Sequence, residues 1–520
     1  MLSYLNPLPS LPEYTGPHAV GSSEHEIPIS SLSLPSLPGP QASKLTTLKF
    51  RLFYPTTSKQ SSDSSSTNYG IPWLQEPQRD HLDAYLRLSG LKPWLSDFLL
   101  STPFRYYLSS TQIPAYHNAP LLYDGARIPT LIFSHGLVGN MNTHSALLGE
   151  LASYGVFCLA LDHRDGSGPL TTLRTTASEP SVDATTVPTE VGLTSPSVYY
   201  KPITLKIKPG MHEARDEQLS IRLFELSAAY QALEMMNDGH IFQNLAAEGG
   251  HLGEGGFTLP RGALDMAPGN VIWTGHSFGG TSTVQFVKSV FYSGGNGDDA
   301  RSPLLWQEPS SSVKAQVTPH SPVVLLDPWF LPLRSPKTEM LLRKPLPCHY
   351  AESGKNFTRT VVLMCSEFAY HWPECHAHMP VVAGPDPSCV KVQTIEEYRE
   401  EMARYKDQRD YMNKSKEQRA SYLAKAESEK ESDKKGGSQY SKEHVSMYVL
   451  HDTTHVTHCD FGIMFPWMVW WFTGQRKPVA ATRNIARCIL AETGVDNTAR
   501  VADDATIEKV QLEQVSKLWT

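Results

Sequence analysis

The chain is 520 residues long, with 40% hydrophobic residues and 10 tryptophans, which is enough apolar material for a large folded core. Its formal net charge of −7 gives no global basic surface, so we expect no nucleic-acid partner. The seven cysteines are few and unpatterned, which excludes a small secreted module held together by disulfides.

The first 44 residues are rich in proline and serine. We expect residues 1–44 to form an extended arm on the surface of one large domain, residues 45–520. The opening stretch lacks a basic region followed by a continuous apolar run, so it does not resemble a secretory signal. We therefore expect an intracellular, cytoplasmic protein.

The next part of the chain predicts a strand and then a βαβ unit. Residues 47–55, TLKFRLFYP, alternate like an early strand. Two apolar runs, residues 128–137 and 155–168, then flank a helix-like segment that ends at Ser153, an order that is typical of a parallel sheet. Residues 219–233 carry leucines at helical spacing and predict an amphipathic helix.

Four apolar runs in the second half of the chain predict further buried strands. They are VIWTGHSFGG (271–280), SPVVLLDPWF (321–330), TVVLMCSEF (360–368) and MYVLHDTTH (447–455). The first of them passes through a glycine turn into a helical segment. Loop insertions are expected near 166–210, 288–320 and 370–445, the last with a charged helix at 395–438. The sequence thus predicts an α/β fold with a mostly parallel central sheet, helices on both faces and large loop insertions.

Residues 275–279, GHSFG, match the G-x-S-x-G pattern. In that pattern a serine sits on a sharp turn between a strand and a helix, and the glycines let neighbouring backbone pass close to it. An apolar strand precedes this pentapeptide and a helical segment follows it. Ser277 is therefore the candidate nucleophile.

A serine hydroxyl needs a base to take its proton and a carboxylate to orient that base. In this type of fold the three residues follow in the order serine, acid, histidine. Asp327 ends the run VVLLD, and His455 follows the run MYVL. Asp162 also ends a strand but precedes the serine, and His451 and His458 flank His455, so spacing alone leaves rivals open.

Attack of a serine on a carbonyl carbon also needs backbone N–H groups aimed at the developing oxyanion. One candidate is the N–H of Phe278, directly after the serine. The other is the N–H of Leu137, in the loop SHGLVGN that follows an early strand.

A zinc site is an alternative role for the histidines near the end of the chain and for HWPECHAH, residues 371–378. The sequence contains no H-E-x-x-H motif and no paired C-x-x-C motifs. No G-x-G-x-x-G or Walker pattern follows a strand either. We therefore expect neither a metal nor a cofactor.

Residues 461–472, FGIMFPWMVWWF, form an apolar run of twelve residues that contains Pro466. Crossing a bilayer takes about 20 residues, so this run is too short to span one. We expect core packing, with peripheral membrane contact through Phe461–Phe472 as the alternative. The sequence does not indicate an oligomeric state.

Nine separated blocks of the chain resemble the platelet-activating factor acetylhydrolase family, the plasma and type II intracellular phospholipases A2 of the α/β-hydrolase fold. In chain order the blocks are TGPHAVG, FRLFYP, PTLIFSHGL, YGVFCLALDHRDGSG, RDEQLSIR, GHSFGG, LLDPWF, CSEF and HVTHCDF. The resemblance implies a calcium-independent serine esterase that hydrolyses the short or oxidised sn-2 acyl ester of a phospholipid without a cofactor. The alternatives are a general carboxylesterase or lipase acting on small esters, and a non-catalytic binding scaffold.

The resemblance also selects one histidine. In the family the catalytic histidine is followed five and six residues later by Asp-Phe, and His455 stands in that relation to Asp460 and Phe461. The spacings between the candidate residues exceed the family's usual ones, which makes the accepted acyl chain hard to infer. The implied roles are nucleophile for Ser277, orienting acid for Asp327, general base and acid for His455, and oxyanion donors for Leu137 and Phe278.

Overall fold

A computed structural model describes most of the chain. The described residues are 11–32, 45–57, 69–88, 108–174, 197–206, 208–246, 257–293, 310–351, 360–389, 444–466, 477–495 and 507–510, with 34, 94, 101, 106, 469 and 470. The expected charged helix at 395–438 lies outside them.

The described residues contain thirteen strands, eleven of which form one sheet. The strands are β1 Ala19–Pro28, β2 Thr47–Thr56, β3 Tyr69–Pro72, β4 Gln112–His117, β5 Thr130–Ser134, β6 Phe157–Leu161, β7 Leu170–Thr171, β8 Val198–Tyr199, β9 Ile272–His276, β10 Val323–Leu326, β11 Thr360–Cys365, β12 Val445–Leu450 and β13 Ile507–Val510. The order across the large sheet is β13-β12-β11-β10-β9-β5-β6-β2-β1-β4-β3. Strands β12, β11, β10, β9, β5 and β6 run parallel, while β2 pairs antiparallel with β6 and β13 with β12.

Helices connect these strands and cover the sheet. They are α1 Gln78–Leu88, α2 Ser145–Ser153, α3 Met211–Asn237, α4 Phe278–Tyr292, α5 Ser311–Gln316, α6 Glu339–Leu342, α7 Ser366–His371, α8 Pro373–Ala383, α9 Phe461–Met464 and α10 Pro478–Glu492. Short 3₁₀ turns lie at Ile29–Ser31, Leu331–Arg334, Pro347–Tyr350, Pro387–Cys389 and His455–His458.

The two faces of the sheet are covered by different helices, which explains why the central strands are apolar throughout. On one face Trp273 of β9 shares a core with Leu223 of α3. On the other, its neighbour Ile272 shares a core with Leu147 of α2 and Ile489 of α10. The predicted α/β fold, with a mostly parallel central sheet and helices on both faces, is confirmed.

The N-terminal segment differs from the expected surface arm. Residues 19–28 form β1, which pairs antiparallel with β2 from Ala19 opposite Thr56 to Pro28 opposite Thr47. The sequence did not predict this strand because it buries polar side chains such as Ser23 and Glu26, which break the usual apolar alternation. The parts of the arm at 1–10, 33 and 35–44 lie outside the described residues.

The three expected insertions are described in part. The first contains the two-stranded β7–β8 sheet, the second the end of α4 and α5, and the third α8. Among the described residues, no helix is both long enough and apolar enough to cross a bilayer.

Replacing Ile27 with alanine tests whether β1 belongs to the core. Ile27 is fully buried, so Ile27→Ala should lower the free energy of unfolding by about 2–4 kcal/mol through lost burial and the cavity that remains. Urea denaturation measures this change. Ser30→Ala, at an exposed position just after the strand, is the control and should leave the free energy of unfolding nearly unchanged. Equal effects of the two variants would contradict the pairing of β1 with the sheet.

Candidate active site

Ser277 lies at the turn between β9 and α4, in a backbone conformation that side chains rarely adopt. Its φ is 55° and its ψ −117°. A Cβ at Gly279 would collide with the carbonyl oxygen of Ser134, and one at Gly275 with that of Gly279. The glycines of the pentapeptide therefore let α4 start directly against the end of β5, and the predicted strand–turn–helix is confirmed.

Backbone hydrogen bonds to the neighbouring strand hold this turn. The Ser277 N–H donates to Leu326 O at 2.9 Å, and the Trp329 N–H donates to Ser277 O at 3.0 Å. The end of β10 is thereby fixed beside the serine. Asp327, which lies between these two contacts in sequence, is placed at the same edge of the sheet.

Asp327 is fully buried, and its carboxylate contacts the end of β11 and the 3₁₀ turn that follows β12. Oδ1 accepts the backbone N–H of Cys365 at 2.8 Å. Oδ2 lies 3.1 Å from Nδ1 of His455 and 3.2 Å from Nε2 of His458. The aspartate that the sequence selected thus contacts two of the three candidate histidines.

Burial and the histidines act on Asp327 in opposite directions. Burial alone would raise the pKa of its carboxyl group, since desolvation disfavours the charged form. The electrostatic effect of the nearby His458 and the hydrogen bond from His455 outweigh this effect and hold the pKa well below its ordinary value. Asp327 is therefore ionised at neutral pH, as the orienting acid of a triad must be.

The candidate histidines have different surroundings. His455 begins a 3₁₀ turn, its backbone N–H donates to Glu367 Oε2 at 2.9 Å, and its side chain is 21% exposed. The His458 side chain is only 1% exposed. His451 instead contacts Glu508 at 3.0 Å. Of the two histidines beside Asp327, His455 is thus the more accessible to a substrate.

Asp162, the rival acid, lies elsewhere in the structure. It is buried, its Oδ2 is 3.8 Å from Lys49 Nζ, and its Oδ1 accepts a hydrogen bond from Thr171. These contacts are with side chains of β2 and β7 rather than with the turn that carries Ser277. The structure does not bring Asp162 to the candidate histidines.

The position of His455 relative to the serine turn is given by its contact with the residue before Ser277. Within the described residues, no hydrogen bond joins the Ser277 hydroxyl to His455. The ring of His276, the residue before the serine, lies 4.6 Å from the ring of His455 between centroids. Catalytic hydrogen bonds are often long without substrate and shorten when substrate binds. The catalytic roles of the three residues remain predictions.

The loop after β5 approaches the serine turn closely, as an oxyanion loop must. A Cβ at Gly136 would lie 2.9 Å from the Cβ of Ser277. Gly136 O accepts the Gly139 N–H at 3.3 Å and lies 2.7 Å from His135 Nδ1. Because a peptide is planar and trans, these contacts also fix the direction of the Leu137 N–H. The assignment of Leu137 and Phe278 as oxyanion donors remains a prediction.

Two buried histidines beside the site were not singled out by the sequence. His144 Nε2 lies 3.1 Å from His276 Nδ1. Burial lowers the pKa of both rings well below the usual value, and neighbouring histidines add to the effect. Both imidazoles are therefore neutral at neutral pH, and no sequence pattern distinguishes them from other core histidines.

Two sets of side chains in this region could in principle hold a metal ion. Each set shares Asp327, combined with His276 and His455 in one and with Cys365 and His458 in the other. In the HWPECHAH segment, His378 stacks on Phe330. The expectation that the protein has no resident metal stays a prediction.

Asp460 has a structural role that its place in the HVTHCDF motif does not indicate. Its carboxylate accepts hydrogen bonds from Trp73 Nε1 at 2.9 Å, from Ser145 N at 3.0 Å and Oγ at 2.6 Å, and from Ala146 N at 3.0 Å. Burial raises the pKa of Asp460 to about 6, while these hydrogen bonds act to lower it. Through these hydrogen bonds Asp460 caps the start of α2. It thereby joins the loop that carries His455 to the segment after the loop SHGLVGN.

The apolar segment 461–472 contributes to the core where it is described. Phe461 contacts the rings of Trp73 and Tyr85, and Met464 is buried. Trp470 is 49% exposed, and residues 467–468 and 471–472 lie outside the described residues. Core packing is therefore observed for the first part of the segment, and membrane contact stays a prediction.

Comparisons with known proteins give one family match and several similar relatives. A model of the family described as "Platelet-activating factor acetylhydrolase, isoform II" matches residues 5–371. A putative phospholipase A2 of Schizosaccharomyces pombe is 29% identical over 53% of this chain and 58% of its own length. The platelet-activating factor acetylhydrolase of Canis lupus familiaris is 29% identical over 45% of each chain. The chain thus spans about half the length of the curated relatives that it matches.

Among solved structures, a ferulic acid esterase from Streptomyces cinnamoneus is similar with a TM-score of 0.44 and 13% identity. The alignment covers 97% of this chain and 100% of that one. At this level of similarity the comparison carries no argument about function.

Replacing Asp460 with asparagine tests its role in joining the two loops. An amide nitrogen would face an N–H or O–H donor on either side, so Asp460→Asn should lower the free energy of unfolding by about 1–3 kcal/mol. Chemical denaturation measures the change. Asp80→Asn, at an exposed position in α1, is the matched control and should change the free energy little. Unchanged stability of the Asp460 variant would contradict the role.

Proposed function

The chain belongs to the platelet-activating factor acetylhydrolase isoform II family, and on that premise we propose that it is a serine ester hydrolase acting on phospholipids. The proposed reaction is hydrolysis of the short or oxidised sn-2 acyl ester. The nucleophile is Ser277, the orienting acid Asp327 and the general base His455.

In the first half of the proposed reaction, the Ser277 hydroxyl oxygen attacks the ester carbonyl carbon while His455 Nε2 takes its proton. The N–H groups of Leu137 and Phe278 stabilise the oxyanion of the tetrahedral intermediate. This intermediate collapses with cleavage of the ester bond, and His455 gives the proton to the leaving lysophospholipid oxygen. In the second half, water loses a proton to His455 and attacks the acyl-enzyme carbonyl carbon. The bond to the Ser277 oxygen then breaks, His455 returns the proton to that oxygen, and the acid is released.

The contact that carries this proposal is the 3.1 Å hydrogen bond between His455 Nδ1 and Asp327 Oδ2, next to the serine turn. A base bonded through Nδ1 keeps Nε2 for the serine, which is the tautomer that the reaction needs. Asp327 stabilises the imidazolium because it is ionised and buried.

A small apolar cluster lies beside the serine turn. Phe278 and Trp329 are buried in this cluster, and Leu137 and Trp372 pack against it. The ring of Trp372 lies 5.0 Å from the ring of His455. The two partly buried members, Leu137 and Trp372, therefore offer apolar surface beside the proposed base to the acyl group of an ester.

Replacing each of the two histidines at Asp327 tests which one is the base. His455→Gln should lower kcat for p-nitrophenyl acetate by roughly three orders of magnitude or more, since the serine loses its base. His458→Gln should keep kcat within about tenfold of wild type, because its ring is buried and only supports Asp327. Steady-state kinetics on the folded variants measure both values. The opposite pattern would assign the base to His458.

Substrate comparison tests the proposed activity. The wild-type protein should hydrolyse a 1-alkyl-2-acetyl phospholipid with a higher kcat/KM than p-nitrophenyl acetate or a long-chain phospholipid, because the proposed activity requires recognition both of the glycerophospholipid moiety, which p-nitrophenyl acetate lacks, and of a short acyl chain. Ser277→Ala, with the same fold, should abolish all of this turnover. Faster hydrolysis of simple esters would indicate a general carboxylesterase, and activity that survives in Ser277→Ala would contradict the nucleophile.

A further inference from the structure

The block RDEQLSIR, residues 215–222, lies on α3 and has no role in the proposed reaction steps. Its last residue, Arg222, is fully buried and donates hydrogen bonds to the loops that follow β5 and β6. The guanidinium donates through Nε to Asp165 Oδ2 at 2.6 Å and through Nη2 to Ser167 Oγ at 2.6 Å. Through Nη1 it donates to His135 O at 2.7 Å.

The last of these contacts reaches the oxyanion loop directly. His135 O belongs to the peptide bond that leads into Gly136, one residue before the Leu137 N–H. On the other side of Leu137, the Val138 N–H donates to Ser167 O at 2.7 Å. Ser167 is the same residue whose hydroxyl accepts a hydrogen bond from Arg222. Arg222 therefore fixes the loop on both sides of Leu137.

The same guanidinium contacts the other predicted oxyanion donor. Its carbon atom lies 4.5 Å from the centroid of the Phe278 ring, in the geometry of a cation–π contact. Arg215, at the start of the block, lies 5.4 Å from the same ring. Phe278 is the first residue of α4, so this packing helps to fix the position of its backbone N–H.

A second buried hydrogen-bond network contacts the start of the same loop, at Ser134. Ser134 Oγ lies 2.8 Å from His163 Nε2, and His163 Nδ1 lies 2.6 Å from Glu225 Oε2. These are the residue types of a hydrolase triad, but all three side chains are buried, so no substrate reaches them. Nη1 of Arg222 lies 3.3 Å from Ser134 Oγ and joins this network to the loop.

We propose that Arg222 is a positioning residue that sets the spacing between the two halves of the oxyanion hole. The inference rests on the proposed esterase function and extends it to a residue that does not touch substrate. An arginine suits the position because its planar fork donates in fixed directions to Asp165, Ser167 and His135 together. A lysine would keep the charge beside Asp165 but could not make all three contacts in this geometry.

Arg222→Lys is the informative variant, because loss of the charge would leave Asp165 unpaired in the core and threaten folding. We expect kcat for p-nitrophenyl acetate to fall by roughly ten- to a hundredfold with KM within about twofold, since removal of an oxyanion donor lowers kcat by about a hundred- to a thousandfold and a displaced donor loses part of that effect. Arg164→Lys is the matched control. Arg164 is also buried, but its guanidinium contacts Glu26, Thr47 and Thr172 O instead.

Replacing the substrate carbonyl oxygen with sulfur separates positioning from general damage. Sulfur is a poor hydrogen-bond acceptor, so the ratio of kcat/KM for the oxygen ester to that for the thionoester reports on the oxyanion hole. The ratio should fall in Arg222→Lys by roughly tenfold and stay at the wild-type value in Arg164→Lys. A wild-type ratio in Arg222→Lys would overturn the proposal, because it would mean that the residue only stabilises the fold.

Hydrogen exchange on peptides covering residues 134–140 gives a readout that does not depend on activity. Exchange in this loop should be faster in Arg222→Lys than in Arg164→Lys, and unchanged exchange would overturn the proposal. If the wild-type protein hydrolyses no ester, the proposed function fails, while the exchange measurement still decides whether Arg222 holds the loop.

Discussion

The constraint on which the site depends is the backbone of Ser277. A φ of 55° with a side chain costs of order 1–3 kcal/mol and persists only where the surroundings impose it. Here two backbone hydrogen bonds to the end of β10 and the close approach of α4 to β5 through Gly279 impose it. The strained turn lifts a hydroxyl group out of the sheet, and it brings the first peptide of α4 beside the loop after β5.

The rest of the site follows from the parallel sheet. Strands β12, β11, β10, β9 and β5 lie side by side in this order and run parallel, so the loops after them meet at one edge of the sheet. The contacts there connect distant parts of the chain: Asp327 with His455, Glu367 with the His455 backbone, and Asp460 with the start of α2. Burial strengthens each of these polar contacts and makes each costly to leave unpaired.

The sequence predicted the parts of this structure that have local causes. Apolar runs indicated the central strands, and GHSFG indicated the turn at Ser277. Strand β1 was not predicted, because its buried polar side chains have partners far away in the chain, such as Arg164 for Glu26. Spacing could not separate His455 from His458 either, since their different exposure depends on how the whole loop packs. The contacts of Arg222 are likewise with residues more than fifty positions away, which no local pattern indicates.

The most direct test is labelling of the intact folded protein with a fluorophosphonate, followed by proteolysis and mass spectrometry of the peptides. A fluorophosphonate forms a stable bond only with a serine that an adjacent base has activated. We expect one adduct, on the peptide that contains Ser277, and no adduct when His455 is replaced by glutamine. A folded protein that takes up no label, or carries it on a different serine, would contradict the account.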